Sequence, residues 1–364
     1  MRVKIEDVCD KATSNLKQSD VMNKKGLFPV FGAAGYLGKI DTFHQSKPYV
    51  AIVKDGAGIG RTMLLPAKSS VIGTMQYLLP KDNILPAYLY YVIKARHLEK
   101  YFSGATIPHI YFKDYKNEQF DLVNFEKQKQ IVHKLKVIEK IMTNLNDELK
   151  LFDELIKARF VEMFGDPILN EKGWKTKSLL DMGNCKNGMN FHYDDKGVEI
   201  SCLGVGDFKD LSVIDNTKEL NIVSLNKMPS EEYLLKDGDI VFVRSNGNKD
   251  LVGRCLAVYP GNIPTTFSGF CIRYRKDDNE LTVPYILRAL KMESMRRKMV
   301  GRGANIQNLN QQILGMLVIP IPPIGLQEQF ADFVRQVDKS KFEVQKSLEK
   351  TQQLYDSLMQ KYFG

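Results

Sequence analysis

IVHKLKVIEKIMTNLNDELKLFDELI, the stretch from Ile131 to Ile156, sets apolar side chains at Ile131, Leu135, Ile138, Met142, Leu145, Leu149, Phe152 and Ile156. Unbroken steps of four and three are the seam of a left-handed coiled coil, because a repeat of about 3.5 residues keeps one stripe turned toward a partner helix. Near the other end of the chain Phe330, Val334, Val337, Val344, Leu348, Tyr355, Leu358 and Tyr362 keep the same phase, with Lys341 and Thr351 at the two polar positions. Neither stripe is stable alone in water, so the two helices are expected to pack on each other. Chain order then makes them antiparallel: the first helix ends where a second module begins, and the second helix leaves that module and returns. Two modules are expected at opposite ends of a rod, related by a pseudo-two-fold axis. Forty residues from Phe125 to Phe164 would span about 60 Å at ~1.5 Å per residue, a length of up to roughly 18 stacked base pairs at about 3.4 Å each.

Outward from these helices the chain repeats itself. Gly104-Ala105-Thr106-Ile107 is matched by Gly303-Ala304-Asn305-Ile306, and Gln128-Lys129-Gln130-Ile131 by Gln327-Glu328-Gln329-Phe330, both at an offset of 199 residues. At slightly smaller offsets Val50-Ala51-Ile52-Val53-Lys54 resembles Ile240-Val241-Phe242-Val243-Arg244, and Ile59-Gly60-Arg61 resembles Val252-Gly253-Arg254. A long unit occurring twice is a duplicated domain with its connector, not a solenoid. The expected fold class is α+β: two mixed α/β domains separated by an antiparallel coiled coil of two long helices, with an internal pseudo-two-fold. The expected boundaries are 1–122 and 167–322 for the domains, with 123–166 and 323–364 for the spacer helices.

The totals agree with this plan. With 364 residues and 43% hydrophobic residues the chain can build two packed cores. Lysine and arginine number 52 against 43 acidic residues, a net charge of +9 that points toward a polyanionic partner. Five cysteines without a CxxC pair read as packing residues in a reducing compartment. Residues Met1 to Asp10 lack the pattern of a signal peptide. The longest apolar stretch, Ile313 to Leu326, is broken by Pro320, Pro322 and Pro323. A cytoplasmic protein without a membrane segment is expected.

The run Glu154-Leu155-Ile156-Lys157-Ala158-Arg159-Phe160-Val161-Glu162-Met163-Phe164-Gly165-Asp166-Pro167, with its restart at Trp174, resembles the central region of type I restriction-modification specificity subunits. Ile319-Pro320-Ile321-Pro322-Pro323 leading to Gln327-Glu328-Gln329 is similar to that family's entry into its second helix. Phe28-Pro29-Val30-Phe31-Gly32, Gly35, Gly38, Lys54-Asp55-Gly56 and Gly60-Arg61 resemble one class of its target recognition domains. The resemblance implies a non-catalytic subunit that reads a bipartite double-stranded DNA site. It implies docking of two methyltransferase subunits and, through them, of restriction subunits, with S-adenosylmethionine and ATP bound by those partners and no cofactor in this chain. The first module begins almost at Met1, whereas more sequence precedes Asp239-Ile240-Val241, so the first domain is expected to be trimmed or of another subclass. Rival readings are a stand-alone DNA-binding regulator and a protein-only scaffold with duplicated modules.

Residue chemistry narrows the DNA-contacting candidates. Asp55-Gly56-Ala57-Gly58-Ile59-Gly60-Arg61 lacks GxGxxG spacing and reads as a tight turn. Gly32 to Lys39 places Ile40 where a P-loop needs Ser or Thr. Glycine turns flanked by Lys39, Lys54 and Arg61 suit a phosphate or a groove edge, since no Cβ blocks close approach. Thr106 and His109 accompany them in the first module. In the second, Arg244, Ser245, Asn246, Asn248 and Lys249 follow a strand, with Arg254, Arg302, Asn305 and Gln307 nearby in the pattern. Arginine, asparagine and glutamine pair bidentately with guanine or adenine edges. Arg296-Arg297-Lys298 suits either phosphate contact or a solvated helix face. No metal site is expected from His44, His97, His109, His133 and His192, which lack ligand spacing. No amino-methyltransferase motif or GxSxG elbow is present.

Overall fold

A computed structural model describes residues 1–22, 24–104, 108–191, 196–208, 212–300 and 308–364. The chain divides into two compact units, Met1–Asp147 with Val344–Gly364, and Glu148–Glu343.

In the first unit β1 (Arg2–Lys4), α1 (Ile5–Val8) and β2 (Cys9–Thr13) precede a hairpin of β3 (Phe28–Gly32) and β4 (Gly35–Ile40). There follow β5 (Tyr49–Val53), β6 (Thr62–Leu65), β7 (Ser70–Val71), β8 (Met75–Pro80), α2 (Pro86–Ala95), α3 (Phe112–Tyr115) and β9 (Gln119–Asp121). An antiparallel sheet runs in the order β2-β8-β5-β6, a smaller sheet in the order β4-β3-β7, and β1 pairs with β9. All five residues of β5 are buried because both faces of its sheet are covered. Val50 and Ile52 face the core built on α2, and Tyr49, Ala51 and Val53 face a second cluster with Tyr77 and Val71. The glycine-rich segment is a turn between β5 and β6: Gly60 N–H donates to Val53 O at 2.9 Å, and Gly56, Gly58 and Gly60 all take positive φ. A Cβ on Gly60 would meet the backbone nitrogen of Glu99 at 2.7 Å.

The second unit repeats the pattern. Its strands are β10 (Lys175–Ser178), β11 (Gly183–Asn187), β12 (Val198–Leu203), β13 (Val213–Ile214), β14 (Ile222–Leu225), β15 (Asp239–Val243), β16 (Cys255–Val258), β17 (Thr265–Phe267) and β18 (Cys271–Lys276). The order β11-β18-β15-β16 matches that of the first unit, with β13 added at one edge, and β14-β12-β17 matches the smaller sheet down to its one parallel pair. β15 alternates in the same way, Ile240 and Phe242 into one core, Val241 and Val243 into another.

Helix α4 (Phe125–Phe164) follows the first domain. In the second, α5 (Val283–Lys291), α6 (Glu293–Val300), α7 (Gln311–Gly315) and β19 (Val318–Ile321), which pairs with β10, lead into α8 (Ile324–Phe363). A proline lies in the first turn of α2 and of α5, where its missing N–H costs nothing. The repeated glutamines have one structural role in both units. Gln128 accepts from Leu85 N–H at 2.8 Å and donates to Val123 O and Asn83 O at 2.9 and 3.2 Å. Gln327 accepts from Thr282 N–H at 2.8 Å and donates to Pro322 O and Glu280 O at 2.8 and 2.9 Å. Both are fully buried and tie the start of a long helix to the segment that opens the domain helix.

Along each long helix every seam position is buried or half-buried. Ile131, Leu135, Ile138 and Ile156 are buried, as are Phe330, Val337 and Tyr355. Met142, Leu145, Leu149, Phe152, Val334, Val344, Leu348 and Leu358 are half-buried, and so are Lys341 and Thr351. Inside the second unit the two helices run antiparallel: Phe160 packs on Phe330, and further along Asp153 meets Lys341 Nζ at 2.7 Å. Inside the first, Tyr355 OH donates to Glu139 at 2.9 Å, and Phe363 joins the cluster that contains Ile131 and Tyr88. The compact units cut both helices near their middles, where the sequence boundaries cut at their ends. The physical reason is that each helix end is part of a domain core. Ile131, Val132, Leu135 and Ile138 pack with Tyr88 and Tyr91, whereas Ile156, Phe160 and Phe164 pack with Tyr285. Leu145, Leu149, Val344 and Leu348 belong to neither cluster.

Candidate nucleic-acid interface

Both units build the same frame at the end of their central strand. In the first unit Ile110 N–H donates to Lys54 O at 2.9 Å, Val53 N–H to Arg61 O at 2.9 Å, and Asp55 bridges to His109. In the second Leu309 N–H donates to Arg244 O at 2.8 Å, Val243 N–H to Arg254 O at 2.9 Å, and Ser245 bridges to Asn308. Two segments remote in sequence are thus clamped to the mouth of a rigid strand, the construction that lets loop side chains be presented with fixed geometry.

On the first frame Lys54, Asp55, Arg61 and His109 come together, and Lys39 lies exposed on β4. His109 Nδ1 sits 2.7 Å from Asp55 Oδ1, and Lys54 Nζ 3.3 Å from Asp55 Oδ2, so part of the local positive charge is paired. Arg61 is exposed while one guanidinium nitrogen donates to Ala33 O at 2.9 Å, leaving further donors outward. The ring of His109 stacks on the half-exposed Tyr111, over which Lys113 Nζ lies 5.3 Å from the centroid. Asp55, Tyr111 and Lys113 were not foreseen from sequence. The bridge that brings Tyr111 to this loop has no local signature, although an aromatic between a histidine and a lysine is a pattern that stacking surfaces use.

The second frame holds Arg244, Ser245, Asn246, Asn248 and Lys249 on one loop and returns through Arg254. Two asparagine side chains shape it: Asn246 Oδ1 accepts from Asn248 N–H at 2.8 Å, and Asn248 Oδ1 from Asp250 N–H at 3.0 Å. Arg254 Nε donates to Asp250 O at 3.3 Å, and Arg296 to Asp250 O and Val252 O. Arg296 therefore braces the loop from α6, and burial pushes its guanidinium below its ordinary value. Arg297 pairs with Glu293 along the helix, and Lys298 is exposed. Phe270, also unforeseen, is 61% exposed beside this loop. Thr106, Arg302, Asn305 and Gln307 lie outside the described residues.

Burial pushes the thiols of Cys9, Cys185 and Cys202 up to about 12 and that of Cys255 up to about 11, so they stay protonated, as packing residues do. Among the described residues no group of three or more His, Cys, Asp and Glu side chains could hold a metal ion. None of their helices is long and apolar enough to cross a membrane.

The model of the family described as type I restriction modification DNA specificity domain matches residues 1–151 and again 171–354. The StySPI type I restriction enzyme specificity subunit of Salmonella potsdam is 26% identical over 332 residues, covering 82% of this chain and 69% of that protein. The crystal structure of the S subunit of a type I restriction-modification system from M. genitalium shares the fold with a TM-score of 0.60 at 19% identity, over 100% of this chain and 96% of that one. A second solved chain, from work on assembly and conformational transition of the type I R-M system, gives a TM-score of 0.58 at 14% identity, over 100% and 97% of the two chains. The matches favour DNA specificity over a stand-alone regulator or a protein-only scaffold. The chain belongs to the type I restriction-modification DNA specificity family and is a specificity subunit with two copies of the domain that recognises DNA sequence.

Proposed function

We propose that this chain reads a two-part double-stranded DNA site, each unit taking one half, while the long helices set the gap and carry the subunits that do the chemistry. The observation that supports this most directly is the duplicated frame: a strand end, clamped by the same two main-chain bonds, presenting Lys54, Arg61 and His109 in one unit and Arg244, Asn246 and Lys249 in the other. Cationic side chains neutralise phosphates, and amide and guanidinium donors read base edges. Two methyltransferase subunits, and restriction subunits through them, are the partners of this reading, with S-adenosylmethionine and ATP on those subunits. The chain itself catalyses nothing and works in the cytoplasm.

The test is co-expression with a cognate methyltransferase followed by mapping of modified bases. A bipartite motif with a fixed gap is expected, and exchanging residues 1–122 for another first domain should change one half of it only. A continuous motif, or a change in both halves after the exchange, would overturn the reading.

A further inference from the structure

In the second unit a shallow cavity of about 360 Å³ opens beside the Arg244 loop, lined by Val205, Ser245, Asn246, Gly247 and Phe270. Its walls are of two kinds. Val205 and the outward ring of Phe270 are apolar; Ser245 and Asn246 are polar. The backbone that carries the ring is held, because Phe270 O accepts from Arg244 N–H at 2.8 Å and from Ser245 N–H at 3.3 Å, while Gly269 O accepts from the Arg244 guanidinium at 3.2 Å. Asn246 Oδ1 accepts from Asn248 N–H at 2.8 Å, and its amide NH2 brings two donors to the same loop.

A donor beside an apolar wall matches one base edge in the major groove. Thymine presents an acceptor, O4, next to the C5-methyl group; cytosine presents a donor there, adenine a donor beside an acceptor, and guanine two acceptors with no methyl. Resting on the DNA-reading function above, we infer that this cavity selects a thymine in the half-site of the second domain, Phe270 covering the methyl group and Asn246 donating to O4.

Deoxyuridine, which lacks only that methyl, supplies the test. The full chain assembled with its methyltransferase is titrated with duplexes of its mapped site in which each thymine of that half-site is replaced in turn. One replacement should weaken binding about fourfold, the worth of one buried methyl-sized group. Phe270→Ala should bind the thymine and uracil duplexes alike, and Phe270→Leu, which keeps an apolar wall, should still tell them apart. Asn246→Asp, which turns the donor into an acceptor, should lower affinity for the thymine duplex roughly fivefold or more and favour cytosine at that position. A protein that prefers no sequence at all defeats the DNA-reading function and this inference together. A protein that selects its site yet ignores every uracil replacement, has no thymine in that half-site, or keeps its discrimination as Phe270→Ala, defeats this inference alone.

Discussion

The two units share a backbone plan and differ in what fills the corner where the domain helix meets the long helices. In the first unit that corner holds one ring pair, Tyr88 and Phe363 at 5.3 Å, beside a polar network. Tyr91 OH donates to Glu139 at 2.7 Å, Lys94 Nζ to Tyr355 OH at 2.9 Å and to Glu139 at 3.3 Å, and the ammonium lies 5.1 Å from the Tyr355 ring centroid. In the second unit the ring cluster is larger, Phe160 lying within 5.1 to 5.5 Å of Phe164, Tyr285 and Phe330. Charged groups sit alongside: Lys291 donates to Ser212 Oγ at 2.8 Å, burial pushing its ammonium down, and burial pushes the Asp338 carboxyl up. The lesson is that the duplicated plan resides in main-chain bonding and the two buried glutamines, while side-chain docking has diverged around it.

The sharpest break comes from the aromatic corner. Phe160→Ala should cost the second unit about 3–5 kcal/mol, the usual loss for a buried ring, while amide exchange in the first domain changes little. Equal loosening of both domains would mean that the corners are not local devices. Next come the shared glutamines. Gln128→Leu and Gln327→Leu each take the partner from one N–H and two carbonyls, and a loss of at least about 2 kcal/mol is expected from either, since one unsatisfied buried group alone costs roughly 1–3 kcal/mol. Denaturant titrations that gave widely different losses would remove the claim of a common device.

The smallest effect concerns pH. Burial pushes Tyr355 up to about 12, so its neutral form is favoured in the folded protein. Burial works to lower Lys94, but the Tyr355 hydroxyl and nearby Glu139 outweigh it and hold the ammonium above its ordinary value. Both contributions are fully present below about pH 10, where the unfolded groups titrate, and are lost as pH rises toward 12. Tyr355→Phe should cost about 1 kcal/mol at neutral pH and flatten the alkaline decline in the denaturation midpoint of the first unit. A decline as steep as before would place its origin in other groups.

Much of this was legible in the sequence. The four-and-three spacing picked out positions that lie buried or half-buried along both long helices, Lys341 and Thr351 among them although they are polar; Lys341 pairs with Asp153. The offset of the repeated glutamines and strands announced the duplicated topology, including the equivalence of β5 with β15. The glycine run before Arg61 read correctly as a turn. Such features are written locally, because helix and strand periods, turns and repeats depend on neighbours a few residues away.

Other features came only from tertiary structure. That His109 faces Asp55, that Arg296 braces the 250–252 turn, that Phe270 stands outward while its carbonyl is held, and that the ends of the long helices belong to the domain cores all depend on which distant segments a strand end clamps together. The sequence determined a duplicated pair of readers joined by two amphipathic helices, since periodicity carries that information within each segment. The fold decided which side chains were left facing outward, because that choice is made by hydrogen bonds and packing between segments that no local pattern connects.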